Sequence, residues 1–576
     1  MDSRHDLPLH DELVRLTRGI GGLRLAIADG VERLEVLGGV QTLGFPGVEA
    51  YARERLGRSG RWVGDARTLL RRLMLLPRLR EAYLSGRLST SKVELLARHL
   101  VRAENSGLDE EGAIAMAASS TVRELRRRLG GGEREGELAD DERRRWVHLT
   151  RHVDRMDAVA FEGVIRLMEA LGETTRSAAI EGLLAEGLTT LLNRAELAPD
   201  LVSRIAGASG DAGPGIEAPA DTDIGPASEQ PLIEPPYIDP AIVDVGLLDL
   251  ELRALSSELT RRDLRLGELA LEAECCGLAS TDGHRASDDY YRDALGVAPS
   301  SMAARVVLGG RVGRLPRLKA AIEGGRIGFE TATLLARVAR PATEEAWLAR
   351  ACISTTKVFR EHVDAAELHA RAHGLPLDAL VPPTHEQVDE AGELERKVLT
   401  MVFEQTTDSN DSNRSDVTDA AGAQGEHEAG PTSVWAFSEE AALGTVPLRL
   451  TLPGDLAAFW RDLEVLHADA GLPMGTFIAF LVATSLDTWR GFARLPAYGE
   501  IYLRDRFRCQ NPVCTSRHCT PHHIQFRSRG GGEEPSNLVS LCDRCHLSLV
   551  HGGHLAITGL APHALNWSAR AYHLAA

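Results

Sequence analysis

The chain has 576 residues, a length that predicts roughly three to four domains. Hydrophobic residues make up 43% of it and charged residues 26%, so its domains can bury proper cores. The formal net charge of −18 excludes a protein that coats nucleic acid along its whole length.

The charge is distributed unevenly along the chain. From Tyr498 to Ala576 there are eight Arg and five Asp or Glu, so this part carries +3 and the rest carries −21. The same part holds eight of the twenty histidines. A basic, histidine-rich end on an acidic body is expected where only that end meets nucleic acid.

The sequence does not indicate export or membrane insertion. The N-terminus lacks the apolar core of a signal peptide, and the longest apolar run, Phe477 to Ala483, is far too short to span a bilayer. We therefore expect a cytoplasmic protein with no membrane partner and no disulfides. Five of the eight cysteines lie between Cys509 and Cys545, and such clustering indicates a metal site.

The body of the chain shows helical spacing and an internal repeat. Two stretches align without gaps, 76–98 (LPRLREAYLSGRLSTSKVELLAR) and 315–337 (LPRLKAAIEGGRIGFETATLLAR), with eleven of 23 positions identical. Chance composition would give about one or two identities. In each copy a proline predicts a helix start and a glycine, Gly86 or Gly325, a helix end. The repeats hold no catalytic constellation, which favours scaffolding, dimerisation into a homo-oligomer, or DNA positioning.

A short predicted strand follows each copy. WVHLT at 146–150 and PLRLT at 447–451 both precede a further helix-like stretch. One order therefore fits both halves: a helical bundle, a strand, and then more helix.

Two stretches predict disordered linkers. No Lys or Arg occurs between Ile205 and Leu252, where seven prolines are mixed with Gly, Ala and acids, and 405–434 is rich in Asp, Ser, Asn, Thr and Gly. The predicted division is a first helical copy at 1–204, a linker at 205–242, a second helical copy at 243–404, a second linker at 405–434, a strand with helices at 435–497, a metal-binding domain at 498–560 and a tail at 561–576.

Two cysteine pairs have the spacing of metal ligands. Four residues separate Cys509 from Cys514, and two separate Cys542 from Cys545. Each pair can lie on a tight turn, and four thiolates suit tetrahedral Zn²⁺, which stabilises small domains that lack a large core. Four unrelated buried thiols are the disfavoured alternative, and Cys519 is a substitute ligand with poorer spacing.

Adjacent histidines lie between the two pairs. Thr520 to Phe526 predicts a short strand, on which neighbouring side chains point to opposite faces. His522 and His523 should therefore not bind one ion together. One would bind metal and the other would move a proton, and neutral imidazole suits both tasks near pH 7. Without its surroundings, such a pair would be ordinary surface histidine.

Further residues of this region have two or more interpretations. Asn537 follows a glycine-rich loop and is a turn residue, a brace for the loop of the basic histidine, or a metal contact. His546 follows the second cysteine pair at a predicted helix start, where zinc would hold it towards the hairpin. Arg527 and Arg529 either clamp phosphates or lie in a solvated loop.

The run from Arg504 to about His551 resembles the HNH (His-Asn-His) endonucleases, because RD, C, C, HHI, GG, NL, LC, CH and a last H follow in the family's order. The resemblance implies a β-hairpin and helix around a divalent cation, commonly Mg²⁺ with Mn²⁺ or Ni²⁺ as alternatives, and hydrolysis of phosphodiesters in double-stranded DNA. It also implies the site residues: His523 as general base, His522 and His546 as cation ligands, Asn537 as the middle residue of the name, and Cys509, Cys514, Cys542 and Cys545 as ligands of structural zinc.

His551 departs from the family's pattern. Many members place the last histidine four residues after the metal-binding one, where Val550 stands here. Two residues that are five apart on a regular helix do not share a face. Either the helix ends before His551, as Gly552 and Gly553 indicate, or His551 is not a ligand.

The expected fold is mainly α, with two related helical repeat regions, disordered linkers and a small C-terminal α+β zinc-stabilised ββα-metal domain. The body is similar in layout to the N-terminal regions of the 13E12 repeat proteins, which also end in an HNH module. The main rival to a nuclease is a zinc-stabilised DNA-binding module without cleavage. Two further alternatives are a nuclease that cleaves RNA or nucleic-acid junctions and a structural repeat protein with a vestigial tail. The intact Cys and His-Asn-His sets disfavour the vestigial tail.

Overall fold

The computed structural model describes residues 6–102, 109–130, 146–172, 175–195, 238–376, 380–404, 445–489 and 497–575. This part of the chain is mainly helical with three small antiparallel sheets, which confirms the predicted fold class. The predicted linker at 405–434 and most of that at 205–242 lie outside the described residues. The end of the first linker, 238–242, is described, and Arg33 donates hydrogen bonds to its carbonyls.

The first half of the body is a helical bundle followed by a strand and two long helices. Its elements are α1 (Asp6–Val36), α2 (Gly39–Thr42), α3 (Val48–Arg55), α4 (Gly60–Met74), α5 (Pro77–Leu84), α6 (Thr90–Arg102), α7 (Glu110–Ala118), α8 (Val122–Gly130), β1 (Trp146–Asp154), α9 (Arg155–Gly172) and α10 (Arg176–Ala195). Helix α4 shows why such segments fold: the hydroxyl of Ser59 caps its first turn, and Leu69, Leu70 and Leu73 are buried on one face.

Among the described residues, the second half has the same order of elements with one additional helix. These are α11 (Val245–Cys276), α12 (Leu278–Thr281), α13 (Ser287–Asp293), α14 (Pro299–Val312), α15 (Pro316–Glu323), α16 (Phe329–Val338), α17 (Glu344–Ile353), α18 (Thr356–Ala372), α19 (His385–Glu404), β2 (Thr445–Pro453), α20 (Gly454–Asp469) and α21 (Phe477–Trp489). A 3-10 turn at Met474–Thr476 precedes α21. No helix in the described ranges is both long and apolar enough to cross a membrane.

The backbone of the second half repeats that of the first at a constant offset. Each of the helices α11 to α16 begins 239 residues after its counterpart among α1 to α6. Pro77 and Pro316 each occupy the first position of their helices. Gly86 and Gly325 have φ values of 69° and 67°, the left-handed backbone that glycine adopts at least cost.

The two halves contact each other through equivalent residues. The Glu330 amide donates to the Gly57 carbonyl at 3.0 Å, and the Ser91 amide donates to the Gly296 carbonyl at 3.3 Å. Ser91 and Glu330 are equivalent positions of the repeat, as are Gly57 and Gly296. Such reciprocal contacts indicate an approximate two-fold axis within one chain. A Cβ on Gly57 would lie 2.5 Å from the Cα of Gly328, so the close approach requires glycine.

The two predicted strands pair with each other. Strands β1 and β2 are antiparallel over nine residues, with Leu149 opposite Leu450. One face of this sheet is buried in a core that it shares with α9, α10, α19, α20 and α21. The last elements of both halves therefore form one unit, although they are far apart in the sequence.

Asp157, in the first turn of α9, is buried with one carboxylate oxygen lacking a partner. Burial, with the neighbouring Asp154, raises the pKa of Asp157 to about 7. Because the unfolded carboxyl titrates near 3.8, this group weakens the folded state as the pH rises from about 4 to about 7. We expect Asp157→Asn to add roughly 2–4 kcal/mol to the free energy of unfolding at pH 8 and little at pH 4. Urea denaturation of wild type and Asp157→Asn from pH 4 to pH 8 tests this prediction. A difference in their free energies of unfolding that does not change with pH would contradict it.

The C-terminal domain is small and contains both strands and helices. Its elements are α22 (Gly499–Arg504), β3 (Thr520–His523), β4 (Leu538–Leu541), a π-helix (Arg544–His551), β5 (Leu555–Leu560), β6 (Ala564–Ala569) and β7 (Tyr572–Ala575). Strands β3 and β4 pair antiparallel, and β5, β6 and β7 form a separate sheet in that order. The region predicted as a tail, 561–576, thus contributes β6 and β7, and Trp567 from it is buried in the same core as the cysteines.

Candidate active site

The four paired cysteines meet in the core of the C-terminal domain. Cys509, Cys514, Cys542 and Cys545 are all buried, and their sulfur atoms lie within 4.8 Å of one another. Burial raises the pKa of the Cys509 thiol, whereas hydrogen bonds from the neighbouring thiols lower the pKa of Cys542. A buried set of four thiols with this spacing binds metal and suits tetrahedral Zn²⁺. Cys519 lies apart from the set and contacts the carbonyl of Ser516.

Asn511, between the first two cysteines, connects the sulfur cluster to the surrounding loops. Its side chain is fully buried, and its amide group donates to the Cys545 sulfur at 3.3 Å. Its side-chain oxygen accepts from the Val513 amide and from the Tyr572 hydroxyl. An N–H group that points at a thiolate stabilises its negative charge. The sequence analysis missed this residue, although its position between two cysteines was a signal.

Three histidines form a second cluster in the same domain. His522 lies on β3, and His546 and His551 lie on the π-helix. One ring nitrogen of each lies within 4.8 Å of the others, and the ring centroids are 4.7 to 5.7 Å apart. Because neighbouring strand residues face opposite ways, His523 is not part of this cluster.

The position of His551 differs from that expected for a regular helix. The helix does not end before His551, and it is not an α-helix: residues 544–551 form a π-helix. Backbone hydrogen bonds in a π-helix join residues five apart, so residues at this spacing lie on one side of the helix. His546 and His551 therefore share a face, with ring centroids 5.0 Å apart. The spacing that made His551 doubtful is the one that a π-helix requires.

The three imidazoles fit a divalent cation. Burial lowers the pKa of His522 to about 3, with His546, His551 and His523 as further causes, and burial and His551 lower the pKa of His546. Neutral imidazoles near pH 7 are free to offer a lone pair to metal. His546 and His551 are partly exposed, so the cluster is accessible to solvent and to a ligand.

Residues 507–551 match the protein-family model described as HNH endonuclease. The chain carries an HNH domain at its C-terminus. The match includes both cysteine pairs, the adjacent histidines, Asn537 and the π-helix, so it covers both candidate metal centres. No curated protein and no solved structure matches the chain. The likeness of the helical body to the 13E12 repeat proteins stays a prediction.

Two residues that the sequence analysis missed orient the histidines of the HNH domain. The hydroxyl of Thr520 lies 3.1 Å from Nδ1 of His546 and also donates to the Leu541 carbonyl, so Nδ1 is engaged and Nε2 is left for a metal. Phe526 stacks on His551 at 5.4 Å and meets His522 edge-on at 5.6 Å. Phe526 thus forms an apolar wall beside the cluster.

His523 lies on the opposite face of β3 with polar partners. Its Nε2 accepts a hydrogen bond from Arg527 at 3.1 Å and lies 3.3 Å from the carboxylate of Glu533. Glu533 also pairs with Arg527 and accepts from the hydroxyl of Tyr498 at 3.0 Å. Arg529 points elsewhere and lies over the ring of Phe526. Glu533 and Tyr498 were not among the predicted residues.

Asn537 braces the loop that follows the paired histidines. Its side-chain oxygen accepts from the Gln525 amide at 2.8 Å, and its amide group donates to the carbonyls of Gln525 and Gly532. A Cβ on Gly531 would lie 1.8 Å from the Gln525 carbonyl oxygen, so this loop needs glycine to close. The sequence left three roles open for Asn537: a turn residue, a brace for the loop, or a metal contact. These hydrogen bonds are those of a brace.

Arg504 and Asp505 form hydrogen bonds with the backbone on either side of Asn537. Arg504 donates to the carbonyls of Pro535 and Leu538, each at 2.6 Å. Asp505 is buried, pairs with Arg504 and accepts from the Ser540 amide at 2.8 Å. The sequence analysis quoted these two residues without a role, and the structure shows a positioning role.

Buried ion pairs dock the HNH domain against the helical body. Glu395 of α19 is 1% exposed and binds Arg506 and Arg508 of the domain and Arg155 of α9. Burial by itself raises the pKa of Glu395, but the guanidiniums of Arg508, Arg155 and Arg506 outweigh it and hold that pKa well below its usual range. Lys357 adds hydrogen bonds to the carbonyls of 509 and 511.

Replacing Glu395 by glutamine should loosen this interface. Three partly buried guanidiniums would lose their shared buried counter-charge, and breaking a buried ion pair costs about 3–5 kcal/mol. We expect a loss of that size in the free energy of unfolding by urea. The control is Glu393→Gln on the same helix, whose exposed pair with Arg396 contributes little. Equal stability of the two variants would contradict the proposed role of Glu395.

Proposed function

We propose that this protein is a divalent-cation-dependent endonuclease that hydrolyses phosphodiester bonds in double-stranded DNA. The observation that carries the proposal is the division of adjacent histidines between two faces of β3. His522 meets His546 and His551 in a cluster that can hold a metal ion, and His523 stands apart and contacts the exposed side chains of Arg527 and Glu533. The family match supports a nuclease-type domain.

His523 is the proposed general base. It takes a proton from the water that attacks the phosphorus atom, and imidazole suits this task near neutral pH. A divalent cation at His522, His546 and His551 would supply positive charge where negative charge develops on the phosphoryl and leaving oxygens. Mg²⁺ is the foremost candidate, with Mn²⁺ and Ni²⁺ as alternatives. Phe526 keeps water away from one side of the cluster, and Asn537 fixes the loop that follows His523.

Arg527 and Arg529 are the proposed phosphate contacts. Arg527 is 61% exposed, and its guanidinium contacts both His523 and Glu533. A phosphate of the DNA backbone offers the same bidentate acceptor geometry as the Glu533 carboxylate, so it could replace that carboxylate at Arg527. The basic charge of this end of the chain favours the same partner, whereas the acidic body does not.

The test uses the full-length protein and supercoiled plasmid. Wild-type protein is expected to nick the plasmid with Mg²⁺, Mn²⁺ or Ni²⁺ and to lose this activity in a chelator. His546→Ala, which removes one cation ligand, should lose it as well while the four-cysteine site keeps its zinc. Plasmid binding without nicking under every metal would support a DNA-binding module instead. Cleavage confined to RNA would overturn the proposed substrate.

A further inference from the structure

A third cluster of metal-ligand residues lies on the helical body and includes no residue of the HNH domain. His369 lies on α18, His373 follows directly after that helix ends, and Glu390 lies on α19. The ligand atoms of the three lie within 4.8 Å of one another. His369 Nδ1 is 2.8 Å from one Glu390 oxygen, and His373 Nε2 is 3.2 Å from the other.

We propose that His369, His373 and Glu390 bind a transition-metal ion, with Zn²⁺ the first candidate. Two imidazoles and one carboxylate are a common ligand set for zinc with one position left open, and imidazole disfavours Mg²⁺ and Ca²⁺. Zinc bonds of 2.0–2.2 Å in a tetrahedron place ligand atoms about 3.3–3.6 Å apart. The observed nitrogen–oxygen distances of 2.8 and 3.2 Å are shorter, so an ion would move these ligand atoms apart by less than about 1 Å.

The exposure of the cluster suits an exchangeable ion. The side chains of His369, His373 and Glu390 are 22%, 51% and 41% exposed, so an ion can enter from solvent and keep a water ligand. The centroids of the two imidazole rings lie 4.4 Å apart, close enough for one ion to bind a nitrogen atom of each ring.

Such an ion would fasten α18 to α19 across the connection between them. Helix α19 also carries Glu395, which binds Arg506 and Arg508 of the HNH domain. Asp389, beside Glu390, lies 3.6 Å from His563 of the same domain. The ion would therefore fix the helix on which the HNH domain docks. This inference does not depend on nuclease activity, because the cluster shares no residue with the proposed active site.

The experiment measures metal content and thermal stability of the full-length chain. After dialysis against Zn²⁺, Glu390→Gln and His373→Ala should each retain one equivalent fewer than wild type, with unchanged far-ultraviolet circular dichroism. The control, Glu386→Gln, changes an exposed residue of the same helix and should retain the wild-type content. His546→Ala should lose an equivalent independently, so the double variant His546→Ala/Glu390→Gln should lose two.

Cobalt gives a second measurement at the same cluster. Co²⁺ added to the His546→Ala protein should show visible absorption bands of a tetrahedral imidazole–carboxylate site, and Glu390→Gln should remove them. Added Zn²⁺ should raise the melting temperature of His546→Ala, and this increase should shrink in His546→Ala/Glu390→Gln. Wild-type zinc content in both Glu390→Gln and His373→Ala, with no change in the cobalt bands, would overturn the proposal. Loss of plasmid nicking alone would not bear on it.

Discussion

Replacing His523 by alanine is expected to slow plasmid nicking by about 10²–10⁴-fold, the usual contribution of a positioned general base. The geometry gives the reason. His523 lies on the face of β3 opposite to the cluster of His522, His546 and His551, so its removal should leave cation binding intact. The rate of nicking should fall while the metal content and the affinity for plasmid stay at their wild-type values.

The control for this variant is His573→Ala. His573 is an exposed histidine on β7 of the same domain, outside the predicted site, and its replacement should leave the nicking rate unchanged. The rates of the three proteins are compared at one pH and one Mg²⁺ concentration. A His523→Ala protein that nicks as fast as wild type would mean that another group activates the water, and the assignment of His523 would be withdrawn.

Cys545→Ala should have the largest effect on the fold of the HNH domain. Cys545 is fully buried, belongs to the four-sulfur cluster and accepts a hydrogen bond from Asn511. Structural zinc contributes about 10–16 kcal/mol to the folding of small zinc-binding peptides, more than a domain of this size can replace by apolar burial. We expect the variant to lose its zinc, to exchange amide hydrogens rapidly over 507–551, and to lose nicking entirely.

Cys519→Ser is the matched control, because Cys519 lies in the same domain, packs against the same core and is outside the four-sulfur cluster. It should keep wild-type zinc content and hydrogen exchange. In the Cys545→Ala protein the helical body should keep its slow exchange, since its cores are separate from that of the cysteines. If the HNH domain of the Cys545→Ala protein kept slow amide hydrogen exchange without zinc, apolar packing alone would stabilise its fold. The structural role proposed for the metal would then be wrong.

The local pattern of the sequence was sufficient for several parts of the site. Alternation along a strand predicted that His522 and His523 would face opposite ways, and the register of β3 with β4 agrees with it. The spacing of the cysteine pairs predicted one four-thiol site, and the four sulfur atoms meet. The alternation along β3 and the spacing within each cysteine pair involve residues a few positions apart, and local backbone geometry fixes them.

Other parts could not be predicted because they depend on contacts between distant residues. The sequence cannot show that residues 544–551 adopt a π-helix, since its hydrogen bonds compete with those of an α-helix by small energies that packing decides. Thr520 and Phe526 resemble ordinary strand and loop residues until the fold places them beside His546 and His551. Glu533 reaches His523 only because the loop braced by Asn537 folds back.

The sequence by itself determined the helical class, the repeat at an offset of 239 residues, and the identity of the residues that can bind metal or move a proton. Residue spacing and hydrophobic periodicity encode the helical class within a few turns of chain, and the repeat is visible by direct alignment of the two halves. Tertiary structure alone decided that β1 and β2 form one sheet, that Glu395 docks the HNH domain, and that His551 joins His522 and His546. Each of these depends on residues far apart in the chain, and burial and charge bring them together only in the complete fold.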